Sequence, residues 1–225
     1  MVGWAAAPQR RGLRRHDPPR LDDLACVYAS LAGFLAASPP REHIALHCVF
    51  DNEEVGSRSM QGAESTFLAD TARRVCRALG LDDEAYAALV ARSFLVSADN
   101  AHAFHPNYAA QYDPVNRPRM NGGVVLKHQA GQRYTTDAVS EAVFKKLCAR
   151  CGVPVQEYAN HSDVPGGSTL GNISNTQLSV RSVDIGLAQL SMHSACETMG
   201  SADAAHLARF AEAFYGEALP AVAEE

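Results

Sequence analysis

Short apolar runs, too brief for helices of ordinary length, alternate along this chain with longer segments of helical period. The runs are residues 43–50 (HIALHCVF), 93–97 (SFLVS), 123–127 (GVVLK), 153–158 (VPVQEY) and 179–186 (SVRSVDIG). Between them, residues 22–37 place Leu24, Val27, Tyr28, Leu31, Phe34 and Leu35 on one helical face. Residues 64–79 read as a second amphipathic helix ended by Gly80, and residues 202–218 as the last helix. A further helix runs through Cys151, with Thr136 and Asp137 offering N-cap chemistry at its start. Strand-like runs interleaved with amphipathic helices give an α/β layered fold. The Pro-, Asn- and Gly-rich stretch 105–123 and the Gly-rich stretch 163–172 read as loops.

The 225 residues suffice for one domain with a sizeable core, or one domain with a small appendage. A net charge of −5 argues against a nucleic-acid partner, which calls for a basic stripe. No apolar run approaches the roughly 20 residues needed to cross a bilayer, so no membrane span is expected. Arg10, Arg11, Arg14, Arg15 and Arg20 crowd the start of the chain with no apolar stretch of signal-peptide length behind them. Residues 1–17 therefore read as a disordered leader, and residues 219–225 as a tail. Of the six cysteines only Cys148 and Cys151 form a CxxC, and no second pair completes a structural zinc site. Free thiols in a reducing, cytoplasmic compartment fit this usage.

Acids and imidazoles follow the ends of three separate runs: Glu53 and Glu54, Asp99 with His102 and His105, and His193. In open α/β sheets, ligand sites form outside the carboxyl ends of the strands. Adjacent carboxylates such as Glu53 and Glu54 are expensive to hold ionised unless a cation compensates them. One could bind a metal while the other acts as general base on a water; a solvated acidic turn is the plain alternative. Asp99 reads as a ligand or as an Asx cap, and taken alone the cap is preferred. His102 and His105 read as ligands, substrate contacts or surface residues, and His193 as a ligand or a hydrogen-bonded core histidine. The turn VPGGSTLGN lacks the GxxxxGK[ST] and GxGxxG patterns, so a tight turn near a ligand is preferred to a phosphate cradle. Neither a GxSxG elbow nor HExxH is present, which speaks against a serine hydrolase and a helix-based one-zinc protease.

Several blocks, in order, resemble the aspartyl aminopeptidase (M18) family of metallopeptidases. These are RLDDLA (20–25), DNEEVGSRSMQGA (51–63), SADNAHAFHPNY (97–108), RPRMNGGVVLKHQAGQRYTTDAVSEAVF (117–144), VPGGSTLGN (164–172) and VDIGLAQLSMHS (183–194). The resemblance implies a three-layer zinc-peptidase-type catalytic domain, with a mixed sheet flanked by helices, across residues 18–218. It implies an aminopeptidase that removes N-terminal Asp or Glu from peptides through a water bound by two zinc ions, with Mn2+ or Co2+ as other metals. By motif, Asp22 would bridge both metals, Glu53 would be the general base, and Glu54, Asp99 and His193 would complete the ligands. His102, Lys127 and Tyr134, with the Gly167, Ser168, Thr169 turn, match substrate-contacting positions. Lys127 is a cation suited to an acidic side chain; taken alone it reads as a solvated strand-end lysine.

The chain departs from the family pattern in three places. Asp23 stands where the family usually has Asn, and nothing before Pro18 resembles the block that carries a further histidine ligand. The intervening lid and assembly domain has no counterpart, so the distal part of a longer protein, with weakened affinity for one zinc, is expected. A sheet short of its N-terminal strands would expose an edge and apolar surface. Family members form homo-oligomers, which the missing lid puts in doubt here. The competing reading is a truncated fragment of weak or no activity that binds only metal or a partner.

Overall fold

The computed structural model describes residues 15–16, 20–164 and 166–217. The leader expected over 1–17 and the tail over 219–225 lie outside these residues, apart from a short strand at Arg15–His16 (β1). The main sheet runs in the order β2 (Phe94–Ala98), β6 (Arg181–Gly186), β4 (Val124–His128), β5 (Val155–Ala159). β2 is parallel to β6, β6 antiparallel to β4, and β4 parallel to β5, so the sheet is mixed. A smaller sheet joins β1, β8 (Thr198–Gly200), β7 (Ala188–Leu190) and β3 (Ala101–His102).

The two sheets are continuous at one bend. The Asp99 amide donates to the Ile185 carbonyl at 3.0 Å and the Ala101 amide to the Leu187 carbonyl at 2.9 Å. A Cβ on Gly186 would lie 2.0 Å from the Asp99 carbonyl oxygen, so only glycine permits this approach. The bend therefore places Asp99 just beyond the carboxyl end of β2.

Alternation along the strands sorts the core. Val124, Leu126, Val183 and Ile185 are fully buried against Phe144 and Leu147 of α4 (Ala138–Cys151) and Leu207 and Phe210 of α6 (Ser201–Gly216). Val125, Tyr134 and Tyr158 pack on the opposite face. α4 starts at Asp137, whose carboxylate accepts from the Ser140 amide while the Ser140 hydroxyl bonds back to the Asp137 amide, a reciprocal cap.

α1 (Leu24–Ala36) corrects an expectation. Its buried face is Ala25, Cys26, Ala29 and Gly33, while Leu24, Tyr28 and Leu35 remain exposed. The cause is the crossing with α6: a Cβ on Gly33 would sit 2.4 Å from the Ala208 carbonyl oxygen, so only small residues fit the contact.

The run 43–50 does not form the expected strand. It makes no ladder among the described residues and is held by side chains: the Tyr215 hydroxyl donates to the Leu46 carbonyl at 3.1 Å, and His47 Nε2 lies 3.0 Å from Ser30 Oγ. A cavity of about 1040 Å³ is lined by this run and by the residues of β2. With no strand beside it, Leu46 and Val49 stay exposed.

α2 (Phe67–Ala78) buries Leu68, Ala72 and Cys76 at helical spacing, as expected. Three elements were not anticipated: α3 (Asp83–Ala91), α5 (Leu170–Ser174) and the short strands of the second sheet. All six cysteines are free, and no described helix is long and apolar enough to cross a membrane.

Candidate metal centre

Four stretches of chain converge where the main sheet ends: the Leu21–Asp23 turn before α1, the short helical turn Glu53–Val55, the exit of β2 at Asp99, and the loop around His193 after β7. His193 Nε2 lies 2.8 Å from Glu54 Oε2 and 3.2 Å from Asp22 Oδ2. Asp22, Glu54 and His193 thus offer one oxygen or nitrogen each, all within 4.8 Å of one another. Asp22, Asp23 and Asp99 form a second such group. Asp22 belongs to both groups, and its second oxygen, Oδ1, is buried without a hydrogen-bond partner.

Electrostatics sharpen the picture. Two carboxylates about 4 Å apart repel by about 4 kcal/mol at an effective dielectric near 20. Burial, then Asp99 and Glu54, push Asp22 up to about 8. Burial, then Asp99 and Glu54, push Glu53 up to about 7. Burial and Asp99 hold Asp23 well above the usual carboxylate range. Lys127 offsets part of this charge: its Nζ donates to Asp99 Oδ2 at 3.1 Å and sits 5.4 Å from the centre of the Tyr134 ring. Burial works to neutralise Lys127, and Asp99, Tyr134 and Asp184 outweigh it, so the ammonium form is favoured. One lysine does not balance the carboxylates gathered here.

Residues that the sequence did not single out brace this arrangement. Glu197 is buried; its Oε2 accepts from the Leu21 and Asp22 amides and its Oε1 from the His193 amide at 2.8 Å. One carboxylate thereby ties the Asp22 turn to the His193 loop. Asn100 donates through Nδ2 to the Leu21 carbonyl at 3.1 Å and to Gln189 Oε1 at 2.6 Å, and through its amide to Asp23 Oδ1 at 3.2 Å. His193 itself has φ +65°, and Asn52, preceding Glu53, has φ +61°. Left-handed backbone at non-glycine residues costs energy that surrounding contacts must offset, and such residues gather at functional sites.

The other expected contact residues are more dispersed. His102 lies on β3, its ring centre 6.4 Å from that of Tyr158, which is equally 6.4 Å from Tyr134. His105 caps the turn at Pro106–Gln111, its Nδ1 accepting from the Asn107 amide. Thr169 is buried and donates to Asp184 Oδ1 at 2.7 Å. Gly167 and Ser168 are exposed, and the Ser168 hydroxyl donates to Asn172.

Fold and cluster together define a metallopeptidase-type domain, with carboxylates and an imidazole gathered at the carboxyl ends of a mixed sheet. The comparisons narrow this. The sequence matches the family described as Aminopeptidase I zinc metalloprotease (M18) over residues 17–215, and the chain belongs to that family. It is 48% identical over 184 residues to a probable M18 family aminopeptidase 2 of Clostridium novyi, a match covering 82% of this chain and 42% of the relative. It is 39% identical over 202 residues to a probable aspartyl aminopeptidase of Ricinus communis, covering 87% of this chain and 41% of the relative. Among solved structures, the Ape4 and Nbr1 complex aligns at TM-score 0.82 and 37% identity, covering 90% of this chain and 39% of that one. A dodecamer of S. cerevisiae mApe1 aligns at TM-score 0.75 and 29% identity, covering 90% and 46%. The chain thus spans less than half the length of the relatives it matches.

Proposed function

We propose that residues 18–218 are the metal-binding portion of an aminopeptidase catalytic domain that removes N-terminal Asp or Glu from peptides with the help of two zinc ions. The observation that carries this reading is the position of Asp22: it is shared by two ligand-type groups, and one of its oxygens is buried without a partner. A buried acceptor with nothing to accept from costs about 1–3 kcal/mol, which a bound cation removes. The donor set of carboxylates with one imidazole suits zinc. Asp22, Glu54 and His193 would hold one ion, and Asp22, Asp23 and Asp99 would surround the other.

When bound, paired zinc ions supply Lewis acidity, lowering the pKa of a water and polarising the scissile carbonyl. The chain's own residues then divide the remaining work. Glu53 stands outside both ligand groups, and its raised pKa of about 7 suits a base that takes a proton from water and hands it to the departing amine. Lys127 presents a buried ammonium that favours an acidic side chain, held in place by Asp99 and Tyr134. The name of the Ricinus communis relative supports the same preference. The mApe1 dodecamer supports assembly of family members into homo-oligomers.

Release of N-terminal Asp or Glu from short peptides, with zinc, manganese or cobalt present, tests the reading. It is rejected if no turnover appears at high protein concentration while a full-length relative turns over. A second reading, a metal- or partner-binding fragment without turnover, is favoured by the purely carboxylate composition of the Asp22, Asp23, Asp99 group and by the cavity beside Glu53. Metal content separates the two: two tightly held zinc ions per chain that are lost with Asp22→Asn count against the fragment.

A further inference from the structure

A second cluster of metal-ligating side chains lies on the other face of the sheet, away from the centre described above. His128 ends β4, and Glu157 lies on the parallel neighbour β5, whose register pairs Leu126 with Glu157 and His128 with Ala159. By strand alternation His128, Leu126 and Glu157 share the face covered by α4, whereas Lys127 reaches Asp99 from the opposite face. Glu141, in the first turn of α4, sits over the same spot. His128, Glu141 and Glu157 each offer one nitrogen or oxygen, and these atoms lie within 4.8 Å of one another.

Two further observations single this cluster out. His128 Nε2 is buried and has no hydrogen-bond partner, a condition that native interiors rarely leave unexplained. The two glutamates are already bridged by a cation: Lys145 Nζ lies 2.6 Å from Glu141 Oε1 and 2.5 Å from Glu157 Oε1. The hydrogen bond from Lys145 is the main reason Glu157 is held below its usual pKa. The site is therefore shaped for positive charge and keeps one nitrogen donor unused.

We propose that His128, Glu141 and Glu157 form a second divalent-cation site of the zinc class, in which the ion replaces the Lys145 ammonium between the two carboxylates. Imidazole with two carboxylates suits zinc or cobalt rather than calcium or magnesium, which prefer oxygen alone. Tetrahedral zinc holds its donors roughly 3.3 Å apart, given ligand distances of about 2.0–2.1 Å, so small side-chain movements close the present spread. Lys145 is half-exposed and on a flexible stem, so it moves into solvent as the ion enters. The bound ion ties the first turn of α4 to the β4–β5 edge.

The test uses the whole chain carrying Asp22→Asn and Glu54→Gln, which disables the first centre, with zinc content read by mass spectrometry after equilibrium dialysis. One equivalent of zinc is expected to remain at micromolar concentration. His128→Ala and Glu157→Gln on this background are expected to weaken it at least 10-fold. Lys145→Met removes the competing cation and is expected to tighten binding at least 3-fold, an effect a merely structural lysine does not give. No zinc uptake, uptake insensitive to His128→Ala, or unchanged or weaker binding in Lys145→Met overturns the proposal. If the doubly substituted chain does not fold, the unsubstituted protein is titrated with Co2+. Loss of one bound Co2+ equivalent on His128→Ala supports the site, and equal stoichiometry in the two proteins overturns it.

Discussion

The two edges of the main sheet are finished differently. At the β4–β5 side, α4 is capped at both ends, and Val124, Val125 and Leu126 are completely buried. At the β2 side, the run 43–50 makes no ladder among the described residues, and a cavity of about 1040 Å³ is lined by it and by β2. The groups assigned to catalysis are divided between these regions. Lys127 belongs to the packed side, and Asp99 to the bend fixed by Gly186; Glu53 and Glu54 ride on the loosely held segment. The contrast teaches that contacts within the described chain fix half of the centre. The approach of Glu54 to Asp22 and His193 calls for charge compensation, which the proposed metal would supply.

Breaking this comparison begins with Glu53. Glu53→Gln is expected to lower peptide hydrolysis by about 10²–10⁴-fold while zinc content and melting temperature hold, because Glu53 lies outside both ligand groups and on the loose side. Steady-state rates beside metal analysis check this; loss of zinc along with activity would reassign Glu53 to metal binding. In the packed region, Leu126→Ala is expected to lower stability by about 2–5 kcal/mol, as for other buried large-to-small changes, and Val49→Ala, at a half-exposed position, by less than about 1 kcal/mol. Urea denaturation of both variants measures the gap, and equal losses would erase the distinction drawn here.

Glu197 bridges the Asp22 turn and the His193 loop without joining a ligand group. Glu197→Gln is expected to weaken zinc binding by about 10–100-fold, the usual effect of losing a group that orients ligands, as read by competition with a chelator. A further effect concerns pH. Asp22 is raised from 3.8 to about 8 and Glu53 from 4.5 to about 7. Groups that hold protons more tightly when folded add stability that is fully present below their unfolded pKa and lost as pH rises through the folded value. Metal-free protein is therefore expected to melt at progressively lower temperature as pH climbs from about 4 to about 8. Bound zinc keeps these carboxylates ionised and flattens that slope. Thermal melts across this range, with and without chelator, provide the check.

Much of the sheet was legible because its strands are short, apolar and set between helices of clear period. The run 43–50 carries the same signal, yet a strand needs a neighbour to bond with, and periodicity says nothing about which neighbours are present. The face of α1 was misread for a related reason. Its bulky stripe gave the stronger pattern, but the close crossing at Gly33 selects the small residues instead. α3 lacked a strong apolar face, although Asp82 as cap with Asp83 and Glu84 in the first turn was an available signal. The meeting of Asp22, Glu54 and His193 was foreshadowed by acids and imidazoles at strand ends and by the motif blocks. Glu197 and Asn100 were not, since they act through backbone amides and carbonyls that only the folded chain brings within reach.

The most direct measurement of the central claim is a crystal structure of the zinc-loaded chain with anomalous data at the zinc edge. Two peaks, each about 2.0–2.2 Å from an Asp22 oxygen, with Glu54 and His193 on one and Asp99 on the other, are the expected result. Zinc absent from Asp22, or a single ion bound by only one of its oxygens at saturating metal, would contradict the account.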